Sequence, residues 1–194
     1  MMRLFPIIVV LFIIAACNSD YTIKRRGYYK INFPEHKYQL FNEPGYPYTF
    51  EYPVYSNIVK DTNFFDEKPD NPWSINIDIP SFSGKIYMSY KPVTAANYDK
   101  LVSDAFTMTY KHTAKATEIK DSLMITKSGL AGVFFQVGGN AATANQFFVT
   151  DSVKHFLRGA LYFDATPNED SLKVVNDFLK ADMSHLINSL KWKN

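Results

Sequence analysis

Two short runs in which apolar and polar residues alternate set the tightest limit on what this chain can fold into. In Trp73-Ser74-Ile75-Asn76-Ile77-Asp78-Ile79-Pro80 the odd positions are apolar and the even ones polar. After Ser81-Phe82-Ser83-Gly84, the run Lys85-Ile86-Tyr87-Met88-Ser89-Tyr90 alternates again. Side chains on a strand point to opposite faces in turn, so each run has one greasy and one wet face. Two such runs joined by a short Ser/Gly link predict an antiparallel hairpin with one face on a core.

Further elements follow from the same logic. Tyr48, Phe50 and Tyr52 alternate with Thr49 and Glu51 between Pro47 and Pro53. Proline cannot donate to a ladder, so prolines at its ends suit an edge or a strand start. Residues 60–72 are charged and marked by prolines, which predicts a loop. The period then changes: Thr94 is a plausible N-cap, and Tyr98, Leu101, Val102, Ala105 and Met108 recur at helical spacing up to about Lys111. Strands are predicted over 116–119, 122–126, 129–137, 145–150 and 153–163, with turns at Ser128-Gly129 and Asp151-Ser152 and a pliable link over 138–144. Asn168 or Asp170 caps a last helix that puts Leu172, Val175, Leu179, Met183, Leu186 and Leu190 on one face. It closes with Lys191-Trp192-Lys193, cations where the helix dipole favours them. Hairpins with helices between and after them give an α+β domain: an antiparallel sheet flanked by helices, ending in a long C-terminal helix.

The N-terminus has a different character. Arg3 precedes an apolar run from Leu4 to Ile14, broken only by Pro6, and small Ala15 and Ala16 lead to Cys17, the one cysteine of the chain. This is the layout of a signal peptide, too short to span a bilayer, where roughly 20 apolar residues are needed. Ile14-Ala15-Ala16-Cys17 resembles the lipobox of bacterial lipoproteins, in which the thiol receives a diacylglycerol thioether before cleavage ahead of the cysteine. A lone cysteine cannot close an internal disulfide, which fits that use. The expected organisation is a signal peptide over 1–16 with Ala15 and Ala16 flanking the cut, a lipidated tether over 17–27, and one globular domain over 28–194. Membrane lipid is thus the first expected partner, through Cys17, with the domain facing the periplasm.

Composition excludes more than it suggests. Loss of Arg3 with the leader leaves 20 basic against 19 acidic residues, without the basic excess that nucleic acid demands. His36, His112, His155 and His185 are scattered outside any metal-binding spacing. Ser152, His155 and Asp164 are the residue types of a hydrolase triad, yet no G-x-S-x-G elbow accompanies them. Gly138-Gly139-Asn140 lacks the lysine of a phosphate loop. No catalytic residue, metal or cofactor is assigned. Aromatic residues make up 16% of the chain, and Tyr46, Tyr48, Tyr52 and Trp73 form the candidate partner or ligand surface, because interfaces favour such side chains.

Several phrases together carry a resemblance: the lipobox, Tyr28 to Pro34, Tyr46 to Pro53, Phe82 to Lys91 and His155 to Phe163. The chain resembles the gliding-motility lipoprotein GldD family over nearly its whole length. That resemblance implies an accessory or assembly protein of the gliding machinery, linked to type IX secretion in the cell envelope. Its implied partner is an integral membrane protein or another component of that machinery, and it supplies no catalytic residue. A strand, a polar loop and a long final helix are also similar in order to PsbP/Mog1-like α/β sandwiches. A periplasmic lipoprotein that binds a small ligand or glycan is the alternative expectation.

Overall fold

The computed structural model describes residue 27, residues 30–60 and residues 72–193. Cys17, Ala15, Ala16 and most of the 60–72 loop lie outside the described residues, so the structure neither supports nor opposes their expected roles.

Among the described residues, ten strands and two α-helices make up the domain from Asn32 onward. In chain order the strands are β1 (Tyr38–Phe41), β2 (Tyr48–Pro53), β3 (Asn57–Lys60), β4 (Ile75–Ile79), β5 (Gly84–Pro92), β6 (Ala116–Ile125), β7 (Ala131–Gly139), β8 (Asn145–Thr150), β9 (His155–Phe163) and β10 (Lys191–Trp192). Helix α1 spans Tyr98–Tyr110 and α2 spans Glu169–Ser189. Seven strands form one antiparallel sheet in the order β3-β4-β5-β9-β8-β7-β6, and a small sheet has the order β1-β2-β10. The fold is therefore α+β with two antiparallel sheets.

The hairpin read from alternation is present. Ile75 pairs with Met88 and Ile79 with Gly84, joined through a 3-10 turn at Pro80–Phe82. Ile75, Ile77, Ile79, Ile86, Met88 and Tyr90 all face one core, with Phe147 and Val149 of β8 and Leu157 and Leu161 of β9. Helix α2 covers that face through Val175, Leu179, Met183, Leu186 and Ile187, and β2 adds Tyr48 and Phe50. Phe148 and Phe156, one residue out of phase on the same strands, face the other way and pack with Val133, Phe135 and Ala105 of α1. The two helices thus lie on opposite faces of the large sheet, as alternation on a strand requires.

Four readings need correction. Helix α1 starts at Tyr98, not after Thr94: Asn97 bonds back to Thr94 N–H through its side chain, and the Thr94 carbonyl closes the turn before the helix. Its buried face takes Thr109, whose hydroxyl bonds the Ala105 carbonyl at 3.0 Å, while Met108 is exposed. The strands predicted over 116–119 and 122–126 are one, β6: Lys120 and Asp121 pair in register with Gln136 and Phe135, and the strand's register irregularity lies earlier, between Ala116 and Ile119. Lys191-Trp192 is no helix end: the backbone turns extended at Leu190, and β10 pairs Lys191 with Thr49 and Trp192 with Tyr48.

β6 is an edge strand of the large sheet and carries Leu123 and Ile125, which are 89% and 80% exposed. Natural sheets usually cover, charge or shorten such edges.

Candidate functional site

The aromatic third of the chain folds as a ladder of rings. Phe41 and Phe50 stack at 5.0 Å, Tyr46 meets Phe41 edge-on at 5.1 Å, and Tyr46 and Tyr48 meet at 5.8 Å. Tyr48 is 0% exposed; its hydroxyl donates to the Trp73 carbonyl, and burial pushes its pKa well above the usual tyrosine value. Trp73 Nε1–H donates to the Gly45 carbonyl at 2.7 Å. The structure thus brings Tyr46, Tyr48 and Trp73 together, with Tyr48 as their buried floor. Tyr52 sits further along β2, edge-on to Phe50 at 6.1 Å. Tyr46, Tyr52 and Trp73 are half-buried and keep a face toward solvent.

Three residues from other segments extend this aromatic edge. Tyr90 meets Trp73 edge-on at 5.5 Å, and its hydroxyl lies 2.7 Å from His155 Nδ1. His155 in turn stacks on Trp192 at 4.9 Å. Burial lowers the His155 pKa, more than the neighbouring Asp151 carboxylate raises it. Asp151 itself is held low despite burial, because the Lys154, His155 and Val153 N–H groups all donate to it.

A second cluster was not singled out from the sequence. Asp182, on the core side of α2, is 1% exposed. Its carboxylate lies 2.6 Å from His36 Nδ1 and accepts from the Tyr38 hydroxyl at 2.9 Å and from the Tyr55 hydroxyl. One turn along, His185 stacks on Tyr38 at 3.5 Å and meets Glu51 Oε2 at 2.6 Å. His36 stacks on Phe178, and Phe33 stacks on the same ring. Burial first, then the hydrogen bond and charge of Asp182, push the Tyr38 and Tyr55 pKa values well above 10. Chemically this is a structural knot: every polar group on the carboxylate is a donor, and the residues just before β1 are fastened to α2. A charged residue breaking the stripe Leu179-Met183-Leu186 was the sequence signal that could have found it.

The hydrolase residues do not assemble. Ser152 Oγ donates to the Tyr98 hydroxyl, and Asp164 lies past the far end of β9 from His155, its N–H bonded to the Ser83 carbonyl. Ser152 holds a positive φ of 63° in its turn, and Gly139 one of 85° at the end of β7, where the link to β8 begins. Among the described residues, no three His, Cys, Asp or Glu side chains converge as a metal site would need.

Comparison with known proteins gives three results. A family model described as "Gliding motility lipoprotein GldD" matches residues 18–192. No curated protein sequence matches the chain. Among solved structures, the solution structure of cyanobacterial PsbP (CyanoP) from Synechocystis sp. PCC 6803 is similar at 9% identity with a TM-score of 0.45, covering 86% of this chain and 98% of that one.

Proposed function

The chain belongs to the gliding motility lipoprotein GldD family, and from that premise we propose that it is a non-enzymatic assembly protein of the gliding machinery and its linked type IX secretion system. The observation that carries this reading is the length of the family match, residues 18–192, which takes in both the segment after Cys17 and the folded domain. Residues 1–16 act as the signal peptide, cut after Ala15-Ala16, and 17–27 as the tether of a domain that faces the periplasm. No helix among the described residues is long and apolar enough to cross a membrane. Acyl chains on Cys17 would supply the hold, at about 0.8 kcal/mol per buried methylene, and two or more chains anchor stably.

The partner is a membrane component of the same machinery. We assign its contact to the half-exposed edge of Tyr46, Trp73 and Trp192, where large amphipathic rings are already ordered and little side-chain entropy remains to be lost. The test is photocrosslinking in gliding cells, with the crosslinker at Tyr46 and, separately, at Leu123 on the β6 edge. Capture of a motility or secretion component at Tyr46 is expected. A deletion strain that glides and secretes normally would overturn the reading.

A further inference from the structure

Between the first turns of α2 and the β6–β7 end of the large sheet lies a polar cleft of about 270 Å³. Glu118, Lys120 and Gln136 line it from the sheet, and Glu169, Lys173 and Asn176 from the helix. Gly138 makes the room. A Cβ at that position would lie 3.1 Å from Thr117 Oγ1 and 3.4 Å from Glu169 Oε1, so any side chain there would enter the cleft. The space is just below the roughly 300 Å³ at which small-molecule sites begin, enough for one compact polar unit. Leu172, Ala141 and Ala144 supply its apolar part.

Two side-chain amides show what is missing. Asn145, the first residue of β8, lines the cleft although it is 3% exposed. Its Nδ2–H donates to the Asn176 carbonyl at 3.4 Å, and since a carbonyl only accepts, that bond fixes which way the amide points. Among the described residues, no donor reaches Asn145 Oδ1. Asn176 Oδ1 is buried, also without a donor. Buried polar atoms nearly always have a partner, so two lone acceptors at one cleft call for O–H or N–H groups from outside the chain. Charge narrows the class. Glu118 pairs with Lys120 and Lys173 with Asp177, each at 3.0 Å, so these four ions cancel in pairs. Glu169 opens α2, where its charge is met by the helix dipole. The cleft therefore presents donors and acceptors with little net charge.

We propose that this cleft binds a neutral sugar residue, its adjacent hydroxyls bonded to the Asn145 and Asn176 amides and a C–H face against Leu172. A hydroxyl both donates and accepts, so a ring of them matches a wall of amides and ion-paired side chains. A carboxylate, which only accepts, and an ammonium, which only donates, each match half of that wall. The site shares no residue with the aromatic edge assigned to the motility partner, and it stands independently of that reading.

The full acylated chain is held at constant ionic strength in a detergent whose headgroup carries no sugar, and the side-chain amide signals of Asn145, Asn176 and Gln136 are followed by NMR. The probes are free hexoses, deoxyhexoses, pentoses and N-acetylhexosamines, with a glycan array for longer chains. Sodium acetate and methylammonium chloride serve as charged controls. At least one sugar should shift these signals saturably, with a Kd on the order of 1 mM, as suits so small a ligand. Asn145→Leu should weaken that binding about tenfold, the loss of one hydrogen bond to the ligand. Asn176→Leu should weaken it as much while keeping the parent's thermal midpoint, because the amide oxygen it removes has no partner in the free protein. That second variant keeps the test decisive should Asn145→Leu fail to fold. Absence of any sugar response overturns the site, as does a response that persists in Asn176→Leu or one that acetate or methylammonium reproduces.

Discussion

Removing the carboxylate at position 182 strands three donors at once. Asp182→Ala should cost about 3 kcal/mol of unfolding free energy, since the loss of a buried hydrogen-bonded anion leaves its partners unpaired. Asp182→Asn should cost about half of that, because one acceptor oxygen remains. Denaturant titration of the detergent-solubilised protein measures both. Tyr38 and Tyr55 contribute to the pH dependence, as Tyr48 does, because their pKa values are raised in the folded protein. Such groups add stability that is complete below the unfolded value near 10 and is lost as pH rises beyond it. Stability should therefore fall above about pH 10, less steeply in Tyr55→Phe, as followed by circular dichroism. Asp182 was legible in part, as an acid inside an apolar stripe. Its partners at 36, 38 and 55 were not, because nothing in a sequence marks two segments more than a hundred residues apart as neighbours.

Elements with a clean period were readable, and those whose identity depends on a distant strand were not. The β4–β5 hairpin and α2 declare themselves through side chains spaced to meet one core. β10 does not: two residues after a helix look like its frayed end until β2 offers an edge to pair with. Trp192→Ala should accordingly cost about 2 kcal/mol, through lost burial and the lost stack on His155. The break predicted between Ile119 and Ser122 is absent, because Lys120 and Asp121 pair with β7 and stay solvated on an edge strand. Close strand contact sets another limit. Gly159 pairs with Phe147, and a Cβ there would come within 2.3 Å of the Phe147 ring. Gly159→Ala should destabilise by about 1–3 kcal/mol, as overpacking does, with a lowered thermal midpoint as the readout.

At the scale of the whole molecule, the family rests on a match that runs over residues 18–192, and the lipid anchor on the lipoprotein character of that family. Cys17→Ala should abolish fatty-acid labelling and release the protein from membranes, as fractionation would show. It should leave the domain's stability within about 0.5 kcal/mol, because position 17 precedes the compact unit that begins at Asn32. The small sheet gives the anchor a further meaning. β2 lies between β1, which follows the N-terminal segment, and β10, which ends the described chain, and Lys193 N–H and Nζ bond the Pro47 and Glu43 carbonyls. Tension drawn through residue 32 would load the Asp182 knot and the β1–β2 ladder first, while the C-terminal residues brace β2 from its other side. That geometry is a strain relief: a pull on the chain ahead of β1 is taken up by side-chain bonds before it reaches the seven-stranded sheet.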